Sequence, residues 1–447
     1  MPITMKEQHK IPVSKMQRAS RFLGTGAKIG GNVIKYYAKK MVDPSTERSE
    51  LDEANAEDIY NSLSQLKGSA LKVAQMMSMD ENVLPRAYTQ KFQMAQYNAP
   101  PLSYPLVVKT FRRFFGKNPD ELFDSFSRNA VNAASIGQVH KATIDGKEFA
   151  VKVQYPGVAD SVSSDLKMAK PIAMRIMNIK AKDLDKYMQE VETRLLEETD
   201  YELELKRSVE LSEKCSHFSN LVFPKYYADF SSKRVITMDW IDGIHLSEWI
   251  ETNPSQEERN EMGQRLWDFY NFQMHELKIV HADPHPGNFI VTENGDLGII
   301  DFGCVKEIPE EFYYPYFQSM EPGLVEDQKR FEALLEELEF FLPSDTDEEK
   351  RYLLSIFTKM VRLIGRPFSE EVFDFGDKEF FGSIFNLGEE ISKDKKFRKT
   401  NAARGSQHGI YINRTYFGLY NLLHQIQAVI TPRGDEIRKN FMPFQVV

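Results

Sequence analysis

The chain has 447 residues and a mass of 51.7 kDa, too much for one ordinary domain, so two or three packed units are expected. Hydrophobic residues at 41% and charged residues at 28% exclude a chain disordered throughout. Two cysteines without paired spacing, Cys215 and Cys304, exclude a disulfide scaffold and a cysteine zinc site.

Charge is unevenly spread. Residues 1–40 hold nine basic side chains and one acid, so a chain of net −9 carries −17 beyond that segment. An acidic body argues against nucleic acid as the main partner, because phosphate binding needs a basic face. No run approaches the roughly 18 apolar residues of a membrane-spanning helix, and the N-terminus has no hydrophobic signal core. The expected location is cytoplasmic, with any membrane contact peripheral and on the inner face.

Between Arg21 and Met41, Phe22, Ile29, Val33, Ile34, Tyr37 and Met41 recur near helical spacing with lysines between them. Two readings of this basic helix stand. Its lysines meet anionic lipid while Phe22, Ile34 and Tyr37 enter the interface, or it docks on the acidic body. Asp43-Pro44 ends the run. Residues 50–97 read as two helices broken at Pro85, followed by a proline-rich connector over 100–105 and a helix near 107–115.

Strand patterns begin near Ala130. Gln138–Thr143 and Glu148–Val153 flank Asp145-Gly146, a two-residue hairpin signal. That register pairs Val139 with Lys152, so Val139, Ala150 and Lys152 share one face. Helices follow over 161–179 and 184–217, then strands Leu221–Tyr226 and Arg234–Asp239, then a mostly helical remainder. The class is α+β.

The stretch richest in chemistry runs from His281 to Gly303 and contains His281-Ala282-Asp283-Pro284-His285-Pro286-Gly287-Asn288 and Asp301-Phe302-Gly303. Apolar runs 289–292 and 297–300 surround Asn294-Gly295, the strongest short hairpin signal. A two-residue turn there places Asn288 opposite Asp301, and two oxygen-bearing side chains side by side suit a hard cation such as Mg²⁺. Asp283 then lies beside the metal, where a carboxylate can orient or deprotonate a nucleophile for phosphoryl transfer. Turn and cap roles alone are the competing account of these three residues.

The spacing H-x-D-x-x-x-x-N with D-F-G to follow is that of protein kinases, and Phe149-Ala150-Val151-Lys152 is a variant of their V-A-I-K strand. On that strand, Val139 and Ala150 can cover a flat base while Lys152 reaches the α/β-phosphates. A strand lysine is otherwise a solvated edge residue. Lys152 needs an acidic helix partner, and periodicity leaves Glu198, Asp200 and Glu204 open, with a solvated acidic face as the bland account.

From about Leu51 to Lys306 the chain resembles the UbiB family, the atypical kinase-like proteins also called AarF or ADCK kinases. Ala133-Ala134-Ser135-Ile136-Gly137-Gln138-Val139 resembles the family's Ala-rich nucleotide loop, Lys152 its strand lysine, and Glu198-Thr199-Asp200 its E-x-D motif. Lys72-Val73-Ala74-Gln75 resembles the K-x-G-Q hallmark with alanine in place of glycine. The resemblance implies a two-lobed protein-kinase-like fold with an N-terminal helical extension over the active site, Lys72 paired with Glu198, and Glu204 paired with Lys152. It implies catalytic roles for Asp283, Lys152, Lys72, Gln75, Glu198 and Asp200. It implies ATP contacts from Ala133, Ala134, Ser135, Gly137, Val139, Ala150, Lys152, Glu204, Met238 and Trp240, and Mg²⁺ at Asn288 and Asp301. The expected domains are a basic arm over 1–50, a helical extension over 51–128, an N-lobe over 129–240 and a C-lobe over 241–447.

An ordinary protein kinase is disfavoured on two grounds. Only five residues separate Gly303 from Pro309, which leaves no long activation segment, and His285 stands where protein kinases carry lysine. His281 reads as a loop-locking hydrogen bonder and Cys304 as small packing. The resemblance implies an Mg-ATP-dependent atypical kinase or ATPase supporting isoprenoid quinone or other prenyl-lipid metabolism. A small-molecule phosphotransferase of the aminoglycoside or choline kinase type and a non-catalytic ATP-gated scaffold are the alternatives, and a homodimer stays open. Residues 310–447 give no functional signal, and Arg414 reads as helical core or rim.

Overall fold

The computed structural model describes residues 15–43, 45–66, 87–88, 91, 102–133, 136–177, 181–321, 323–394, 396 and 404–441. The chain divides into two compact units, residues 1–210 with 224–240 and residues 211–223 with 241–447.

Helices α1 (Lys15–Val42), α2 (Arg48–Leu66) and α3 (Tyr104–Phe115) precede the first sheet. Strands β1 (Ser125–Phe126), β2 (Asn132–Ala133), β3 (Gly137–Ile144) and β4 (Lys147–Gln154) follow, and helices α4 (Val158–Met177), α5 (Ala181–Glu198) and α6 (Tyr201–Lys214) separate them from β5 (Leu221–Val222) and β6 (Val235–Asp239). The sheet runs β1-β3-β4-β6, with β2 also on β3. Ile144 pairs with Lys147, which leaves Asp145 (φ 50°) and Gly146 (φ 77°) as a two-residue loop. Both left-handed residues suit the twist of the flanking strands, and Val139 faces Lys152 as expected. Ala142, Phe149, Val151 and Val153 pack on Val107 and Phe111 of α3. That fixes which sheet face remains for Val139, Ala150 and Lys152.

One helix was expected over 184–217; two are found, with the break at Thr199-Asp200. Asp200 Oδ1 accepts the backbone N–H groups of Glu202 and Leu203 and so caps α6. Helix α1 is also not a separate arm. Phe22 and Ile29 of α1 are buried against Ile59 and Leu63 of α2 and against Val162 and Leu166 of α4. Arg18 holds both oxygens of the buried Asp165. Phe22 therefore does not face a lipid interface, because it is part of this core.

In the second unit, β7 (Ile244–His245) and α7 (Leu246–Glu251) lead to α8 (Gln256–Asn271), which ends in a π-helical turn over Phe272–Leu277. Then come β8 (Ile279–His281), β9 (Phe289–Val291), β10 (Leu297–Ile299) and β11 (Val305–Glu307). Helices α9 (Glu310–Gln318), α10 (Gln328–Glu337), α11 (Asp347–Ile364), α12 (Lys378–Lys393) and α13 (Gln407–Ile426) make up most of the rest, with β12 (Phe373–Asp374) and β13 (Val429–Ile430) as a short pair. Trp267, Phe269, Tyr270, Phe289, Phe302 and Tyr420 are among the large side chains of the core. Strand β5 runs parallel to β10, with Leu221 beside Leu297. This pairing draws residues 211–223 into the second unit and corrects the expectation that 129–240 forms one lobe throughout. Among the described residues no helix is long and apolar enough to cross a membrane.

Candidate functional site

In the first unit, β4 pairs with β6 so that Ala150 stands beside Met238 and Lys152 beside Ile236. Lys152 Nζ lies 2.6 Å from Glu204 Oε1, with the two side chains 8% and 5% exposed, and 5.2 Å from the centre of the Tyr201 ring. Glu204 is thus the partner that periodicity alone did not choose. Lys141 covers the Trp240 ring at 4.6 Å and pairs with Glu148 at 2.7 Å. Val139, Lys141, Ala150, Lys152, Met238 and Trp240 therefore share one sheet face, since side chains alternate along each strand. A Cβ on Gly137 would stand 2.6 Å from Val153 O and 2.8 Å from Tyr201 Oη. Close packing is reason enough for glycine there.

In the second unit, β8 and β11 pair with Val305 opposite His281, and Ala282 N–H donates to Cys304 O at 2.8 Å. The start of the His281–Asn288 loop thus lies against the residues following Asp301-Phe302-Gly303. His281 is buried; its ring stacks on Tyr270 and meets Phe302. Gln273, on the π-helical turn, accepts the backbone N–H of His281, and the His281 ring meets Tyr270 Oη at 3.4 Å. Asn288 Nδ2 donates to Asp283 O at 2.9 Å and to Asp283 Oδ2 at 3.3 Å. His285 Nδ1 accepts the Gly287 N–H, and Asp301 Oδ1 accepts the Gly303 N–H at 2.7 Å. Cys304 is half-buried and packs against the core.

The β9–β10 register differs from the expected one by one residue. Ile290 pairs with Gly298 and Phe289 with Ile299, and Ile300 N–H donates to Asn288 O. Asn288 therefore stands opposite Ile300, not Asp301. The loop holds three residues, 293–295, closed by Gly295 N–H to Thr292 O, and only Gly295 among them has positive φ, at 81°. This is a type I turn followed by a left-handed glycine. Thr292 Oγ1 accepts the Asp296 N–H and holds that length.

A third element meets the loop. Arg414 Nη2 on α13 donates to Asp283 Oδ1 at 2.7 Å, with side chains 9% and 19% exposed. One turn along, Gly418 lies against Pro284 so closely that a Cβ would overlap Pro284 Cγ. Lys306 covers the ring of Tyr411, one turn the other way. Positions 411, 414 and 418 lie on one helix face, which is the bed of the loop.

The family model described as the ABC1 atypical kinase-like domain matches residues 94–335. The chain belongs to that family. It is 29% identical over 412 residues to the probable serine/threonine-protein kinase abkA of Dictyostelium discoideum, covering 85% of this chain and 72% of that one. It is 29% identical over 395 residues to the mitochondrial atypical kinase COQ8B of Danio rerio, covering 85% of this chain but 62% of the relative. It thus spans less than two thirds of COQ8B, and 41% of a chloroplastic aarF domain-containing kinase of Arabidopsis thaliana at 30% identity. Among solved structures, the Mycobacterium tuberculosis Rv3197–erythromycin complex matches with a TM-score of 0.60 at 26% identity, covering 88% of this chain and 97% of that one. The fold is the two-lobed kinase-like α+β fold.

In this ABC1 chain the structure brings some of the expected site residues together and not others. Val139, Ala150, Lys152, Met238 and Trp240 share a sheet face with Glu204 at its lysine, while Asp283 and Asn288 are joined in one loop. Asp200 is a helix cap, and Glu198 ends α5. Lys72, Gln75, Ala134 and Ser135 lie outside the described residues; of Ala133 only its place on β2 is described. Arg414 and Gly418 are functional candidates that sequence reasoning missed. The usable signal was an arginine at helical spacing from Tyr411 and Gly418 in a helix with no other Arg, Lys, Asp or Glu. Two donor types that Mg²⁺ accepts are present, the Asn288 amide, whose nitrogen is given to Asp283, and the Asp301 carboxylate. Mg²⁺ needs few protein oxygens when phosphates supply others.

Proposed function

We propose that this chain is an Mg-ATP-dependent atypical kinase or ATPase of the ABC1/UbiB type. The observation that carries the reading is the closed, buried Lys152–Glu204 pair on a sheet face lined by Val139, Ala150 and Met238. Kinase-type phosphoryl transfer requires that lysine–glutamate pair. ATP with Mg²⁺ supplies the transferable phosphoryl group and the charge that offsets its oxygens. Lys152 would hold the α/β-phosphates, with Glu204 fixing its ammonium. Asn288 and Asp301 would hold the metal. Asp283, held by Arg414 on one oxygen and Asn288 on the other, is built to orient a nucleophile in a fixed direction.

A role in isoprenoid quinone or other prenyl-lipid metabolism comes from the family resemblance, with similarity to the protein named COQ8B in its support. The test is ADP release by the purified full chain, with and without a prenylated phenol, alongside a search for a phosphorylated product. Asp301→Asn should abolish thermal stabilisation by Mg-ATP, and unchanged stabilisation would refute the metal assignment. Asp283→Asn should keep that stabilisation and lose turnover. Stoichiometric phosphorylation of a soluble alcohol would instead support a small-molecule phosphotransferase.

A further inference from the structure

Helix α8 widens at its end into the π-helical turn Phe272–Leu277, which Lys278 closes with φ 51°. Such turns are rare and recur at functional sites. Two buried side chains leave this one in different directions, Gln273 toward β8 and His275 toward α9 and α13. Gln273 completes a strand edge. Among the described residues β8 has β11 as its one strand partner, and Ala282 N–H on Cys304 O and Ile308 N–H on Lys278 O mark the rungs beside that pair. Alternate residues of an antiparallel pair turn their N–H groups away from the partner, so the N–H of His281 points to the open edge. Gln273 Oε1 accepts it at 3.2 Å, while Gln273 Nε2 donates to Phe269 O at 3.1 Å. His281 stands two residues before Asp283.

His275 acts on the other support of the loop. Its Nδ1 lies 2.8 Å from Tyr313 Oη on α9, and its Nε2 lies 2.8 Å from Tyr416 Oη on α13. Tyr416 gives its one hydroxyl hydrogen to Asn271 Oδ1 at 3.1 Å, and the Asn271 amide donates to Trp267 O at 2.8 Å. His275 Nε2 must therefore carry the ring hydrogen, and Nδ1 accepts from Tyr313. Burial pushes this imidazole down to about 3, so it is neutral and keeps that one tautomer at neutral pH. Tyr416 is two residues from Arg414 and on the opposite side of α13. The bond from His275 thus fixes the rotation at which the helix presents its arginine to Asp283.

We propose that the π-helical turn sets the direction of the Asp283 carboxylate, with Gln273 and His275 as positioning residues that hold the strand entering the loop and the helix carrying Arg414. This role rests on the reading of Asp283 as the group that orients the nucleophile, so one arm of its test contains no nucleotide. Hydrogen exchange followed by mass spectrometry on the full chain reads the 281–288 loop directly. Tyr416→Phe and Gln273→Met should speed exchange there about fivefold, the loss of roughly one hydrogen bond. Tyr313→Phe, which releases the ring from α9 only, should leave it unchanged. Each tyrosine change removes one buried oxygen, so a role in stability alone would not separate the two. In the ADP-release assay, Tyr416→Phe should lower kcat about tenfold with KM for ATP unchanged. In an Arg414→Met chain it should lower kcat no further, because it acts through that arginine. Wild-type loop exchange in Tyr416→Phe and Gln273→Met, or a kcat loss that multiplies with that of Arg414→Met, overturns the proposal. A wild-type chain that releases no ADP refutes the nucleotide reading instead, and loop exchange then decides the positioning role by itself.

Discussion

Arg414→Met tests whether α13 holds the Asp283 loop in place. Removing one partner of a wholly buried ion pair costs about 3–5 kcal/mol. Here Asp283 keeps some solvent access, at 19% exposed, and keeps the Asn288 amide. A loss of about 1.5–3 kcal/mol is expected, the range for a hydrogen bond to a charged group. For a unit of this size that is roughly a 5–10 °C fall in melting temperature. A stability loss alone would not separate this pair from ordinary packing, so the double-mutant cycle with Asp283→Asn decides. If the penalty comes from a stranded carboxylate, Asp283→Asn should recover about 1.5 kcal/mol or more in the Arg414→Met background. Steady-state assay of ADP release should show kcat down about 10- to 100-fold with KM for ATP little changed, because a misplaced loop degrades orientation rather than binding. Arg414→Lys should recover charge but little turnover, since a lysine lacks the fixed fork of a guanidinium. Additivity within about 0.5 kcal/mol, or a raised KM with kcat intact, would refute the positioning role.

Gly418→Ala should lower melting temperature and kcat together, because the added methyl overlaps Pro284 and overpacking costs about 1–3 kcal/mol; differential scanning calorimetry and the ADP assay would show it, and a wild-type kcat would contradict it. Lys152→Met strands the nearly buried Glu204 and should destabilise by about 3–5 kcal/mol while removing the thermal shift given by Mg-ATP; the shift surviving would remove Lys152 from the nucleotide site. Burial lowers the His140 imidazole to about 4 and the His275 imidazole to about 3, against 6.5 in the open. The unfolded chain therefore takes up protons that the folded one refuses. Stability should be full above pH 6.5 and fall toward pH 4, by up to about 1.4 kcal/mol per pH unit for each histidine. Urea titrations at pH 7 and 5 measure this, and His275→Gln should reduce the slope by about half; an unaltered slope would exclude His275 as a source.

Local rules made some of the site legible. Asp145-Gly146 has two residues that tolerate positive φ, so the loop length, the register and the Val139–Lys152 pairing all followed. Asn294-Gly295 is an equally strong turn signal, yet only its glycine is left-handed. A side chain outside the dipeptide, Thr292, bonds across the loop and stretches it to three residues. That moves Asn288 from Asp301 to Ile300, a shift that turn propensity does not encode. On α1, periodicity showed apolar residues near helical spacing but not which side docks. Arg18 decides that, because it shares a face with Phe22 and meets Asp165, far along the chain.

The least legible part is also the one closest to the proposed chemistry. Periodicity reports which face of a helix is buried, and α13 is apolar enough to read as core and nothing more. What sets it apart is a pairing across 131 residues of sequence, Arg414 to Asp283, which no local pattern records. A buried cation is costly unless an anion meets it, so Arg414 itself required an acid somewhere in the unit. The loop was the place to look, because Asp283 is the acid whose proposed role needs a fixed orientation. The same reasoning extends to Gly418: a helix-interior glycine costs about 1 kcal/mol relative to alanine, and the close approach of Pro284 is what it makes possible. Together they tie α13 to the Asp283 loop by one charge and one missing methyl, so changes in α13 should be read first as changes at Asp283.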